Sequence, residues 1–205
     1  MGSAGKVAVF AVRLDTFAVE PEERVFYVGT NDPAVLQSIR RHVLGRFENL
    51  PIAGEYMHAD AFRAAQTYGK DLFLFIRRFG AINVPRAYAA KSWFDGVTEA
   101  VGLGKSVSDH LLQAVTRLLP EHMPARLIGY RDRYAHHLIF RTGGAGIVEM
   151  RDYLSSILPS EDGAFLECDD EEGRAALLNR FVTGGAVVRY RTVHRRTVED
   201  IVALD

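Results

Sequence analysis

Residues 24–47 restrict the fold more than any other part of the chain. An apolar run, Arg24–Gly29, meets an Asn31-Asp32-Pro33 stop, and then Val35, Ile39, Val43 and Phe47 recur every four positions. That period puts all four side chains on one face of a helix, which must be buried against another element. A capping Asp with Pro in the first turn starts such a helix, and the preceding strand supplies the sheet it packs on.

The same plan returns near the other end. Ala164–Cys168 reads as a strand, and Asp169 caps a helix expected to run through Phe181 and to stop at Gly184-Gly185. Ala186–Val193 then alternates as a strand should, with Arg189 and Arg191 opposite Val188 and Tyr190. Between the two repeats, Ile52–Met57 and His137–Arg141 read as strands. Asp60–Tyr68 and Ile147–Leu158 read as helices, the first stopped at Gly69. Lys6–Leu14 is a further strand with nothing before it, and Val198–Asp205 stops within a helical pattern, so a segment of something longer is expected. Strands and helices packed in two layers imply an α+β domain.

Residues 70–130 differ in character. Pro85, Pro120 and Pro124, with Gly80, Gly96, Gly102 and Gly104, divide them into short helices. Ser106-x-x-Asp109 resembles a capping box, and a Leu111, Val115, Leu118 stripe follows it. Charge is also uneven. Residues 58–135 carry 11 basic and 7 acidic side chains, whereas the whole chain has a formal net charge of −1. Exposed-looking aromatics, Tyr88, Trp93, Phe94, Tyr130 and Tyr134, lie among Arg77, Arg78, Arg86, Lys91, Lys105, Arg117 and Arg126. Basic residues beside an anionic leaflet contribute about 1 kcal/mol each. With Trp and Tyr at headgroup level they would give weak surface binding; the alternative is a solvated helical lobe. An excess of +4 spread over this length is too thin a footprint for nucleic acid. The most apolar run, Leu72–Ile76, is closed by Asp71 and Arg77, far short of a membrane span.

Few residues suggest chemistry by themselves. The single Cys168 excludes an internal disulfide and, at a strand end, reads as a buried inert thiol. His136-His137 begin a strand, so one faces inward and one outward. Either is a candidate base beside a cofactor, against the alternative of a satisfied core histidine. His58 and His194 lack partners at metal-ligand spacing, and no metal site is indicated. Asp169-Asp170-Glu171-Glu172 is explained by a helix N-terminus, whose dipole favours acids. Gly2-Ser3-Ala4-Gly5 before an apolar strand allows close backbone approach to a ligand but lacks phosphate-loop spacing.

Taken as a whole, the sequence resembles the quinone-dependent D-lactate dehydrogenases, flavoproteins of the vanillyl-alcohol oxidase type. The likeness runs collinearly through residues 2–17, 30–62 (TNDPAVLQSIRRHVLGRF and onward), 68–76 (YGKDLFLFI), 124–138 (PARLIGYRDRYAHHL) and 169–205. It is weakest over 78–120. The resemblance implies an antiparallel sheet covered by helices, the substrate cap of the flavoprotein, interrupted by a basic helical lobe that touches the membrane. It divides the chain into the last strand of the FAD domain (1–17), cap (18–57), membrane-surface lobe (58–135) and truncated cap (136–205). It implies that Val9, with Ala8 and Gly5, lies against FAD. It further implies D-lactate and quinone as substrates, an anionic lipid surface and the missing FAD domain as partners, and a peripheral position on the cytoplasmic face of the bacterial inner membrane. Such a piece would be inactive alone. The competing expectation is a freestanding membrane-surface or ligand-binding α+β module without catalysis.

Overall fold

Strands that are apolar on both sides form the centre of the fold. The computed structural model describes residues 10–11, 19–102, 107–160 and 162–194. Among these, β1 (Glu23–Thr30), β2 (Ala53–His58), β3 (His136–Gly143) and β4 (Gly163–Glu167) make one antiparallel sheet in the order β2-β3-β1-β4. The helices are α1 (Pro33–Arg46), α2 (Ala59–Tyr68), α3 (Lys70–Phe79), α4 (Val84–Ala100), α5 (Val107–Thr116), α6 (Ala125–Arg133), α7 (Gly146–Ile157) and α8 (Asp170–His194), with one 3-10 turn at Ala81–Asn83.

Alternation along the strands builds two cores. Phe26 and Val28 pair with Phe140 and Leu138 and turn to one face, where Leu36, Ile39 and Val43 of α1 and Met150 and Leu154 of α7 cover them. Tyr27, Met57, Ile139 and Leu166 turn to the other. There they pack against Phe62 and Ala65 of α2, Phe73 of α3, Leu127 of α6 and Ala176 and Val182 of α8. The two layers expected from sequence are therefore three: the sheet is clad on both faces. The central strand β1 is a nearly unbroken apolar run because it has no solvent side. The expected α+β class stands, and the sheet is antiparallel.

Local signals predicted from sequence are present at several ends. Asp32 accepts the Ala34 amide at 2.8 Å, with Pro33 opening α1. Asp169 Oδ1 accepts the Glu171 and Glu172 amides at 2.9 and 2.8 Å, and Glu172 returns a bond to the Asp169 amide, a reciprocal cap for α8. The Lys6–Leu14 strand apart from Phe10 and Ala11, the Ser106 cap and the chain's last pattern fall outside the described residues.

One expectation is overturned. Gly184-Gly185 does not end α8, and Ala186–Val193 is not a strand; the helix continues unbroken to His194. Two interior glycines cost a helix about 2 kcal/mol, which tertiary packing has to offset. The offset is visible. Small side chains of α8 let it lie close along α2, where a Cβ on Gly69 would come within 2.9 Å of Val182. A Cβ on Gly185 would meet the Tyr88 hydroxyl at 3.0 Å. Arg189, expected on a strand face, is anchored by carboxylates of other helices.

These placements make opposite predictions for two glycines. Gly184 is exposed, helical and free of neighbours within 4 Å, so Gly184→Ala should raise unfolding free energy by about 0.5–1 kcal/mol. Gly29 lies under buried Tyr134, whose ring would stand 2.4 Å from a new Cβ, so Gly29→Ala should lower it by about 1–3 kcal/mol. Chemical denaturation of the two variants checks both signs.

Candidate membrane-contact surface and histidine cluster

The outer helices α4 and α5 are built inside out. Along α4 the inward positions are Val84, Ala87, Lys91, Asp95 and Thr98, of which only Thr98 is fully buried. The outward positions carry Trp93, Phe94, Val97 and Val101, with Trp93 72% exposed, whereas Tyr88 reaches inward toward Gly185 of α8. Helix α5 repeats the inversion. Ser108, Asp109, Gln113 and Thr116 are buried, whereas Leu111 and Val115, and Leu118 just beyond, face outward. The Leu111, Val115, Leu118 stripe read from sequence exists, but it points away from the core. Phe79 and Ile82 extend the apolar surface around the α3–α4 corner, Ile82 at 86% exposure. Patches of this kind on otherwise ordinary proteins mark interaction surfaces.

Charge–charge bonds hold the polar faces inward. Arg189 of α8 grips Asp71 of α3 with both terminal nitrogens, Nη2 to Oδ2 at 2.9 Å, and donates to the Tyr68 carbonyl at 2.9 Å. Its Nε lies 3.4 Å from Asp109 Oδ1. The other Asp109 oxygen accepts from Lys91 at 3.0 Å, Lys91 reaches Asp95 at 3.2 Å, and Asp95 takes both the amide and the hydroxyl of Ser108. Burial works against the Lys91 charge, but the Asp109 and Asp95 bonds outweigh it and raise its pKa. Burial likewise opposes the Asp95 carboxylate, yet Ser108 and Lys91 hold it below the usual range. Four helices are joined by one chain of carboxylates and cations.

This network divides the basic residues expected at the surface. Lys91 is engaged internally, and Arg126 donates to Glu172 at 3.1 Å. Arg77, Arg78, Arg86 and Arg117 are exposed and make no ion pair to a described carboxylate. Arg78 lies over the Phe79 ring at 5.4 Å, and Arg86 donates to Asn83 at 3.0 Å. Lys105 falls outside the described residues, as do Gly5, Ala8 and Val9. Sequence reasoning missed Asp71, Asp95, Asp109 and Arg189 as a unit. Their common signal was acids at helix-inward positions beside an apolar stripe facing the other way.

The adjacent histidines separate as the strand period requires. His137 is fully buried between Tyr27 and Phe62, with ring centroids 5.4 and 6.4 Å away. Burial pushes it down to about 4, and the nearby His58, His136 and Arg63 press the same way against the Tyr134 carbonyl. It is a neutral core residue. His136 lies on the opposite side of β3, where Tyr56 stacks on it and places its hydroxyl 2.9 Å from Nδ1. His58 meets it edge-on at 5.2 Å while capping α2 through Asp60 N. Partial burial, then His58, lower the His136 pKa, so its imidazole is neutral at pH 7. Tyr56 is half-exposed on the edge strand. Among the described residues no group of His, Cys, Asp and Glu is disposed to hold a metal. Cys168 is buried and its thiol is pushed up to about 12, mainly by desolvation.

A family model described as "D-lactate dehydrogenase, membrane binding" matches residues 25–205. The chain belongs to that family. Its full length is 50% identical to a quinone-dependent D-lactate dehydrogenase of Haemophilus influenzae and 46% identical to one of Escherichia coli. A third, from Corynebacterium glutamicum, is 37% identical. The chain spans 36% of the length of each of these relatives. Among the described residues of this family member, no helix is long and apolar enough to cross a membrane.

The buried histidine has a measurable consequence. Below pH 6.5 the unfolded chain gains a proton at residue 137 that the folded chain refuses until about pH 4. Stability is therefore complete above 6.5 and falls by about 3 kcal/mol as the pH drops through that window. His137→Phe should flatten that part of the urea-midpoint profile between pH 6.5 and 4.

Proposed function

We propose that this chain is the cap and membrane-contact portion of an FAD-dependent, quinone-reducing D-lactate dehydrogenase, and that it is inactive by itself. The observation that carries the membrane half is the inversion of α4 and α5, polar inward and apolar outward, rimmed by arginines that make no ion pair to a described carboxylate. Half-burying about five such side chains in a headgroup layer would contribute roughly 4–7 kcal/mol. Four arginines near an anionic leaflet add about 4 kcal/mol. The two contributions are comparable, so the surface holds peripherally without a span. Residues 58–135 form the lobe that lies on the cytoplasmic leaflet, and 18–57 with 136–205 form the cap.

The cofactor half rests on family membership and on the opening strand. Gly5, Ala8 and Val9 would lie along the flavin, and residues 1–17 would complete a domain supplied by the rest of the polypeptide. The sheet's main faces are clad, which leaves its two edge strands, β4 and β2, as the parts open to a neighbour, and β2 is the one that carries hydroxyl and imidazole side chains. Tyr56 and His58 stand there beside His136 of the adjacent β3, hydroxyl and imidazole groups suited to a reaction that moves a proton from a hydroxyl. FAD would supply hydride acceptance when bound. With His136 Nδ1–H donating to the Tyr56 hydroxyl oxygen, the Nε2 lone pair would be open to take the hydroxyl proton of D-lactate.

Vesicle sedimentation tests the membrane reading. Arg77→Ala, Arg78→Ala and Arg86→Ala together should weaken binding to anionic vesicles at least about tenfold and remove most of its salt dependence. Trp93→Ser with Leu118→Ser should weaken binding to neutral vesicles as well. Equal binding by all variants would count against it.

A further inference from the structure

Beside the α3–α4 corner, α3 and α8 enclose an open groove of about 650 Å³. Its walls are Ile76, Leu177, Leu178 and Phe181, and the exposed Arg77, Glu171 and Arg174 line its rim. At its floor the His122 side chain is wholly buried, edge-on to Phe73 at 4.5 Å. Neither ring nitrogen of His122 has a hydrogen-bond partner. The nearest carboxylate oxygen, Glu121 Oε1, is 3.4 Å from Nδ1 and already accepts the amides of His122 and Met123. A buried polar group without a partner is rare and costs about 1–3 kcal/mol. Phe181, at the outer wall, is 61% exposed although it is one of the larger apolar side chains of α8.

We propose that this groove receives the head of a membrane quinone, with His122 donating to a ring carbonyl and the apolar walls of α3 and α8 flanking the ring and the first part of its tail. The inference deepens the reading above and rests on it. Three observations select this occupant over a free polar metabolite. The walls are apolar, so the ligand is too. The floor offers a single unsatisfied imidazole, whose neutral form has one N–H and one lone pair, suited to a carbonyl in the oxidised ligand and a hydroxyl in the reduced one. Finally, Arg77 belongs both to the groove mouth and to the corner that meets lipid, so a lipid-dissolved molecule reaches the groove without crossing water. A fatty acyl chain would fill the walls but leave His122 without a partner.

The test is titration of the full chain with decylubiquinone, followed by the side-chain nitrogen resonances of His122. Binding should shift His122 Nδ1 and Nε2, and His122→Phe should raise Kd at least about tenfold, the loss of one hydrogen bond in a dry site. Phe181→Ala changes an exposed residue, keeps the fold, and should also raise Kd. A decyl alcohol of the same tail length should bind wild type and His122→Phe alike. Decylubiquinone binding that leaves the His122 resonances unmoved, or equal Kd in both variants, or no binding, overturns the proposal. Vesicle sedimentation separates the two readings: a chain that sediments but ignores decylubiquinone keeps its membrane role and loses this site. One that binds decylubiquinone but not vesicles does the reverse.

Discussion

The helical lobe depends on the ion pairs running from Arg189 through Asp71 and Asp109 to Lys91 and Asp95. Enclosing charges at a helix–helix contact is an expensive way to join helices, since apolar residues of similar volume are often as stabilising or more so. The arrangement makes sense when the other side of those helices is considered. A helix has a limited circumference, and α4 and α5 devote their outward arc to Trp93, Phe94, Val97, Leu111 and Val115. Their inward arc is left to hydroxyls, amides and charges, and only paired charges can be buried there. The network is thus the inner counterpart of an apolar outer surface.

Beneath the lobe, the sheet gives it a rigid base. Helix α8 takes part in both structures: its first half covers Tyr27 and Leu166, and its second half carries Arg189 out to the lobe. This continuity explains why a helix with the adjacent glycines 184 and 185 in its interior persists for seven turns, at 25 residues. It also links the sheet edge, where Tyr56 and His136 stand, to the surface rimmed by Arg77 and Arg78.

Much of this was legible from residue order. The Val35, Ile39, Val43 period, the Asp32 and Asp169 caps and the alternation of His136 and His137 are local signals, and local physics decided them. The errors arose where tertiary contacts overrode local preference. Gly184-Gly185 looks like a stop because glycine is a poor helix former, but the helix is held on both sides of the pair by tertiary contacts, and Gly185 fits under Tyr88 and Leu72 where a Cβ would be tight. Lys91 looks like a surface cation because its i+4 partner Asp95 is what an exposed helix face also offers, while the partner that draws it inward, Asp109, lies 18 positions away, beyond any helical pairing rule. The Leu111 stripe was read correctly as a helix face, and nothing local says which way such a face turns. His122 carried no signal, since an isolated histidine gains meaning only from what surrounds it.

The central claim is that the apolar arcs of α4 and α5 turn toward lipid. Trp93, the one tryptophan of the chain, sits on that arc and reports on it directly. Its fluorescence should shift to the blue when anionic vesicles are added, and lipids brominated on the upper acyl chain should quench it. Emission that stays red-shifted and unquenched while the chain is bound to vesicles would show that another surface makes the contact, and would contradict the account.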